Sequence, residues 1–205
     1  MNYYIDFDNT LYETAKLTEI MLEKIVESIS LESKRDIKEI EKIKTEFNST
    51  KDNIFSFAKL MANRFNVNEQ KVLEDVENVI INSSDVTFED AKRFVKRLKE
   101  NGHKLTILTY IPDKKNRDYQ IKKIKGSGIE KYFDDIIITS EYKFTLDLDY
   151  KNSIFIDDDP RDLNGLYEKK PIKVIRIRKK NNKRSKIDID NKDIEEYESF
   201  DDISI

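Results

Sequence analysis

The chain has 205 residues, and its 38 Lys or Arg nearly balance 41 Asp or Glu, leaving a formal charge of −3 that excludes a wholesale polyanion binder. Charged residues reach 39%, well above the roughly 25% of an ordinary soluble domain, yet Ile, Leu, Val and Phe total 60, enough for a sizeable core. With no Cys and a single His, His103, the composition excludes disulfides, thiol nucleophiles, Cys-based zinc sites and His-cluster metal sites.

The opening residues Met1-Asn2-Tyr3-Tyr4-Ile5-Asp6 carry no basic leader or cleavage site, and no apolar run approaches the roughly 18 residues of a membrane span. A cytoplasmic protein without a membrane partner is therefore expected. Residues 3–6 read as a short buried strand. All four Gly and all three Pro lie beyond residue 101, so the first half is expected to be mostly helical. From Thr14 to Ile81 apolar residues recur at helical spacing, as in Ile20, Leu22, Ile25, Val26 and Ile29, then Ile37, Ile40 and Ile43, then Ile54, Phe57, Ala58, Leu60 and Met61, then Val72, Val76, Val79 and Ile80. Breaks near 28–33, 48–52 and 66–68 predict a bundle of about four helices. Phe55, Phe57 and Phe65 are read as its core rather than as substrate contacts.

Beyond the bundle, short apolar strands alternate with helices, which is how buried parallel strands read. A helix is expected over 87–101, opened by a capping box of Thr87 and Asp90 and closed by Gly102 as a left-handed C-cap. The further strands fall at 104–109, 135–139, 153–157 and 173–178. The fold class is thus α/β, a doubly wound, Rossmann-like parallel sheet formed by 1–13 and 87–205, with the all-α bundle of 14–86 inserted after strand one.

Open α/β sheets bind ligands outside the carboxyl ends of their strands. There the sequence places Asp6-Phe7-Asp8-Asn9-Thr10-Leu11, Leu108-Thr109-Tyr110, and Asp157-Asp158-Asp159-Pro160-Arg161-Asp162. Asp is abundant, at 22 of 205 residues, and D-x-D also occurs at Asp147/Asp149 and Asp188/Asp190. Those pairs sit in polar stretches, whereas Asp6 and Asp157-Asp158 terminate apolar strands, where uncompensated charge is costly. Converging carboxylates raise one another's pKa unless a cation sits among them, and hard oxygen ligands specify Mg²⁺. A carboxylate can also attack phosphorus without help from His or Cys, and an acid two residues on along an extended segment faces the same side.

These segments, with Leu105-Thr106-Ile107-Leu108-Thr109, resemble motifs I, II and IV of the haloacid dehalogenase-like superfamily, in order and in spacing. The helical insertion resembles its type-1 cap, and 195–205 resembles its closing helix. The resemblance implies that Asp6 is the nucleophile and a Mg²⁺ ligand, and that Asp8 is the general acid/base whose carbonyl also binds Mg²⁺. It implies that Thr109 bonds the transferring phosphoryl group, that Asp158 is a metal ligand, and that Asp157 and Asp162 support the metal shell. Tyr110, in place of a small or polar residue, would line and narrow the phosphate pocket. Asp8 points to a phosphatase or phosphotransferase rather than a dehalogenase.

The motif III lysine is assigned to Lys143, although Phe144 follows it where Pro is common and only 14 residues separate it from Asp158, few for an intervening helix. Lys122, Lys123 and Lys125 compete, but as a basic run near a helix C-terminus they are explained by the macrodipole. His103 reads as a turn residue. The eight Lys or Arg in 173–186 read as a soluble edge strand and loop rather than a nucleic-acid footprint. The expected activity is a Mg²⁺-dependent phosphatase of a small phosphorylated metabolite. The alternatives are a phosphomutase, a phosphatase of nucleic-acid ends, and a phosphate-binding or signalling module without turnover.

Overall fold

The computed structural model describes residues 1–40, 42–49, 53–180 and 182–204. The chain divides into two compact units, Met1–Thr14 with Ser84–Ile205, and Ala15–Ser83. Among the described residues no helix is long and apolar enough to cross a membrane.

The smaller unit is helical, built from α1 (Thr14–Ser33), α2 (Ile37–Ile40), α3 (Lys42–Ser49), α4 (Ile54–Phe65) and α5 (Glu69–Ile81). No break falls at 28–33, because Ser28 satisfies its hydroxyl inside the unit by donating to Asp75 at 2.5 Å, and α1 runs through to Ser33. Part of the expected break at 48–52 lies outside the described residues. At 66–68 the break is built from Asn chemistry: Asn66 closes α4 in the left-handed conformation (φ 53°), and the Asn68 side chain accepts from Lys71 N–H to open α5. Phe57 is fully buried, and Phe55 and Phe65 are half-buried.

The larger unit is a six-stranded, all-parallel sheet with flanking helices, an α/β Rossmann-like fold. Its strands are β1 (Asn2–Ile5), β2 (Lys104–Tyr110), β3 (Asp135–Thr139), β4 (Ser153–Asp157), β5 (Lys173–Ile177) and β6 (Glu195–Tyr197), in the order β3-β2-β1-β4-β5-β6. β4 is buried along its whole length and β2 through its five middle residues, as strands covered on both faces must be. Ile5 pairs with Ile107 on one side and Ile156 on the other, so β1 and β4 end within one residue of each other while β2 runs three residues further, to Tyr110. The order reverses between β1 and β4, the place where such sheets open a ligand crevice.

Three expectations change. The C-terminal segment is not a helix: β6 pairs parallel to β5 and a 3₁₀ turn, Phe200–Asp202, follows. The cause is Arg176, which is fully buried in β5 and needs the neighbouring strand's Glu196, 2.9 Å away and in register with it. β5 is consequently an inner strand, and β6 takes the edge. Nor is there a Thr87/Asp90 capping box. Thr87 donates to the Ser127 carbonyl at 2.9 Å, and α6 (Glu89–Glu100) begins after Phe88 with no side-chain cap. Gly102 does end this segment in the left-handed region (φ 75°).

Asp90 instead clamps α6 to the C-terminal segment, accepting from Lys179 Nζ at 2.6 Å, Ser199 Oγ at 2.8 Å and Phe200 N–H at 2.9 Å. Burial alone would raise its pKa, but these donors outweigh it and hold the carboxyl below its ordinary value. A depressed folded-state pKa stabilises the protein above the unfolded pKa, and this contribution is lost as pH falls through the folded value. Asp90→Asn should therefore cost about 1.5–3 kcal/mol at neutral pH. Urea unfolding should show the difference from the parent shrinking as the solution is acidified.

α7 (Arg117–Gly126) follows β2, and α8 (Pro160–Tyr167) follows β4 behind the N-cap Asp159. Between β3 and β4 there is no α-helix, only two 3₁₀ turns, Lys143–Thr145 and Tyr150–Asn152, which accounts for the short spacing from Lys143 to Asp158. Phe144 of the first turn lies on Gly165 of α8, where an added Cβ would meet ring atoms at 2.2–2.7 Å. Gly165→Ala should destabilise by about 1–3 kcal/mol despite its better helix propensity. In denaturant titrations, adding it to Phe144→Ala should cost little beyond Phe144→Ala alone, because the clash is gone.

Candidate active site

Asp6 is the first residue past β1, and its N–H donates to the Ile156 carbonyl at 2.9 Å, which ties it to the end of β4. Lys143 reaches in from the turn after β3, its Nζ 2.6 Å from both Asp6 Oδ1 and Asp157 Oδ2. Its own N–H donates to Asp162 Oδ1 at 2.9 Å, so α8 holds the turn that carries it. Asp157 Oδ1 accepts from Asp159 N–H at 2.9 Å. Asp158 accepts from Asn182 Nδ2, and Arg184 Nη1 lies 3.5 Å from Asp158 and 3.0 Å from Asp159. Asp6, Asp157 and Asp158, all buried, each offer a carboxylate oxygen within 4.8 Å of the others'.

This cluster is short of positive charge. Burial pushes the Asp6 carboxyl well above its ordinary range despite Lys143, with Asp157 and Asp158 adding to the shift. Burial and Asp157 likewise push Asp158 up to about 7 and Asp162 up to about 6. Lys143 is driven the opposite way from what burial favours: Asp157, Asp6 and Asp162 raise its pKa and keep it charged. Three buried carboxylates with oxygen donors only, and one lysine between two of them, match the donor set of a hard divalent cation.

Asp8 belongs to a second, adjoining network. Its Oδ1 accepts from Lys123 Nζ at 2.5 Å and Thr14 Oγ1 at 2.6 Å, and its Oδ2 from Gln120 Nε2 at 2.7 Å. Burial would raise its pKa, but Lys123, Thr14 and Gln120 more than offset that, and the carboxyl lies below its ordinary value. Gln120 Nε2 also donates to Thr109 Oγ1 at 3.0 Å. Thr109 is fully buried at the end of β2, with its own hydroxyl proton left to donate elsewhere. Tyr110, next along, is 38% exposed.

Asp6, Lys143, Asp157, Asp158 and Asp162 thus meet in one network, and Asp8 and Thr109 in another. Sequence reasoning missed Lys123, Gln120, Asn182 and Arg184. Lys123 is not a surface lysine answering the macrodipole: it is buried, whereas Lys125 is exposed. The available signal was the i, i+3 spacing of Gln120 and Lys123 beside Ile124 on one helical face. The basic stretch 173–186 is largely neutralised within the fold, through Lys173–Glu195, Arg176–Glu196, Arg178–Glu196, Lys179–Asp90, Lys180–Glu198 and Arg184–Asp158. His103 lies against Tyr3, ring centroids 5.2 Å apart, at the amino end of the strands and away from the carboxylates.

The family model of haloacid dehalogenase-like hydrolases matches residues 3–166. Among curated proteins, none matches the chain in sequence. A putative haloacid dehalogenase-like hydrolase from Burkholderia xenovorans LB400 superposes with a TM-score of 0.65 at 14% identity, over 98% of this chain and 93% of that one. A HAD phosphatase from Thermococcus onnurineus gives 0.55 at 16% identity, over 98% and 94%. A putative beta-phosphoglucomutase from Thermotoga maritima gives 0.52 at 15% identity, over 86% and 84%. These likenesses establish a shared fold.

Proposed function

Because the chain belongs to the haloacid dehalogenase-like hydrolase family, we propose that it is a Mg²⁺-dependent phosphatase, cytoplasmic, acting on a small phosphorylated metabolite through a phosphoenzyme at Asp6. The observation that carries this reading is the buried Lys143 Nζ, 2.6 Å from Asp6 and from Asp157, with Asp158 completing the carboxylate group. The acids leave the cluster short of positive charge, which a divalent cation would make up, and Lys143 would then face the phosphate of a monoester. Asp8, two residues after Asp6, supports phosphoryl transfer over dehalogenation.

In the first half-reaction an Asp6 carboxylate oxygen forms a bond to phosphorus while the bond to the substrate's leaving oxygen breaks, and Asp8, ionised in the resting protein, relays to that oxygen the proton that a monoanionic phosphate monoester brings with it. In the second, Asp8 takes a proton from water as the water oxygen bonds to phosphorus, and the bond from phosphorus to Asp6 breaks. Thr109, whose oxygen is already engaged by Gln120, is left to donate its hydroxyl to a phosphoryl oxygen. Lys143 offsets the charge of Asp6 and of the incoming phosphate. Asp6, Asp158 and the Asp8 carbonyl would hold Mg²⁺, supported by Asp157 and Asp162. When bound, the ion neutralises phosphoryl oxygens and orients them for in-line attack. The unit of residues 15–83 would serve as the type-1 cap that selects the metabolite, with Tyr110 lining the phosphate pocket.

The test is phosphate release from a panel of phosphorylated metabolites and an aryl phosphate, with Mg²⁺ and with chelator. Release that needs Mg²⁺ is expected. Protein that binds Mg²⁺ but releases nothing across the panel would overturn the reading, and phosphoryl exchange within a sugar phosphate would make it a mutase.

A further inference from the structure

Three lysines cluster near the end of α7, but only Lys123 turns inward. Its side chain is 4% exposed, and its Nζ lies 2.5 Å from Asp8, 5.1 Å from the Tyr119 ring centroid and 5.8 Å from that of Phe7. Lysine is almost never buried unless paired, and a buried ion pair is seldom more stable than the apolar pair that could replace it. Stability therefore does not account for this lysine; the acid it holds does. One helical turn earlier on the same face, Gln120 settles the geometry. Ionised Asp8 only accepts hydrogen bonds, so the Gln120 NH₂ must face it, and the same nitrogen reaches Thr109 at 3.0 Å. A single amide thus links the acid of the first strand end to the hydroxyl of the second.

We propose that Lys123 and Gln120 are positioning residues that fix the Asp8 carboxylate, relative to Thr109, where it serves the leaving oxygen. The inference rests on the proposed phosphatase reading and adds to it two side chains outside the superfamily motifs. Proton transfer tolerates misplacement poorly, because donor and acceptor must come within hydrogen-bond reach, whereas attack by Asp6 does not pass through Asp8. Loosening the clamp therefore penalises poor leaving groups, which need the proton, and spares good ones, which do not.

The experiment compares single-turnover release of the phenol from phenyl phosphate and from dinitrophenyl phosphate, two substrates of similar shape. Lys123→Met is expected to slow phenyl phosphate by about 10²-fold and dinitrophenyl phosphate by less than about 3-fold, with KM little changed and partial recovery in Lys123→Arg. Gln120→Leu should show the same selectivity, smaller in size, and carries the test if Lys123→Met does not fold. In an Asp8→Asn background, Lys123→Met should add no further loss on phenyl phosphate. Equal losses on both substrates in a variant with parental melting temperature, or full additivity with Asp8→Asn, would overturn the proposal. Failure of the reading beneath it looks different: the parent protein would release no phenol from either substrate, or Asp6→Asn would remain active.

Discussion

Asp6→Asn should abolish turnover of phosphate monoesters, with a loss of about 10⁴-fold or more, and should leave the metal-free protein at least as stable as the parent. The activity loss follows from chemistry alone, since an amide of the same shape has no anionic oxygen with which to attack phosphorus. The stability expectation follows from the site. Burial holds the Asp6 carboxyl well above its ordinary pKa, so its charged form at neutral pH opposes folding, and Asn relieves that opposition. Lys143 keeps Asp157 as its partner at 2.6 Å. Thermal unfolding in chelator and phosphate release in Mg²⁺ check the two halves. Loss of activity accompanied by a lower melting temperature would mean that Asp6 is chiefly a structural residue.

Lys143→Met should do the reverse to stability. It leaves Asp6 and Asp157 buried without their shared cation, and removing one partner of a buried ionic group costs about 3–5 kcal/mol. For a chain of this length that lowers the melting temperature by on the order of 10 °C. A divalent cation should restore part of the loss, so Mg²⁺ should raise the melting temperature of the variant more than that of the parent. Turnover should fall by about 10²–10³-fold even in saturating Mg²⁺, because the charge that faces the phosphate is gone.

The strands and the acids at their ends were legible because they follow rules that act locally. β3 and β4 fall where the apolar runs place them, and Asp6 and Asp157-Asp158 stand out because they end those runs. What the sequence concealed depends on contacts made at a distance. Lys123 pairs with an acid 115 residues away, and only its helical spacing from Gln120 and its place beside Ile124 set it apart from Lys122 and Lys125. Asn182 and Arg184 sit in a basic loop whose composition suggests only solubility, yet they grip Asp158 from 24 and 26 residues beyond it. Glu195-Glu196-Tyr197 has no strand signal of its own. It becomes a strand because Arg176, a charge set between Ile175 and Ile177, needs a carboxylate beside it. That buried charge within an apolar run was the one visible sign that β5 has a neighbour on each side.

The central claim, that phosphorus is carried on Asp6, is tested most directly by trapping the intermediate. Asp8→Asn removes the base that activates water, so acid quenching during turnover of dinitrophenyl phosphate should let the phosphoenzyme accumulate. Mass spectrometry of the digested protein should then find a hydroxylamine-sensitive phosphoryl group on the peptide containing Asp6 and none on the peptide containing Asp157 and Asp158. Turnover with no adduct, or an adduct on the β4 acids, would contradict the account.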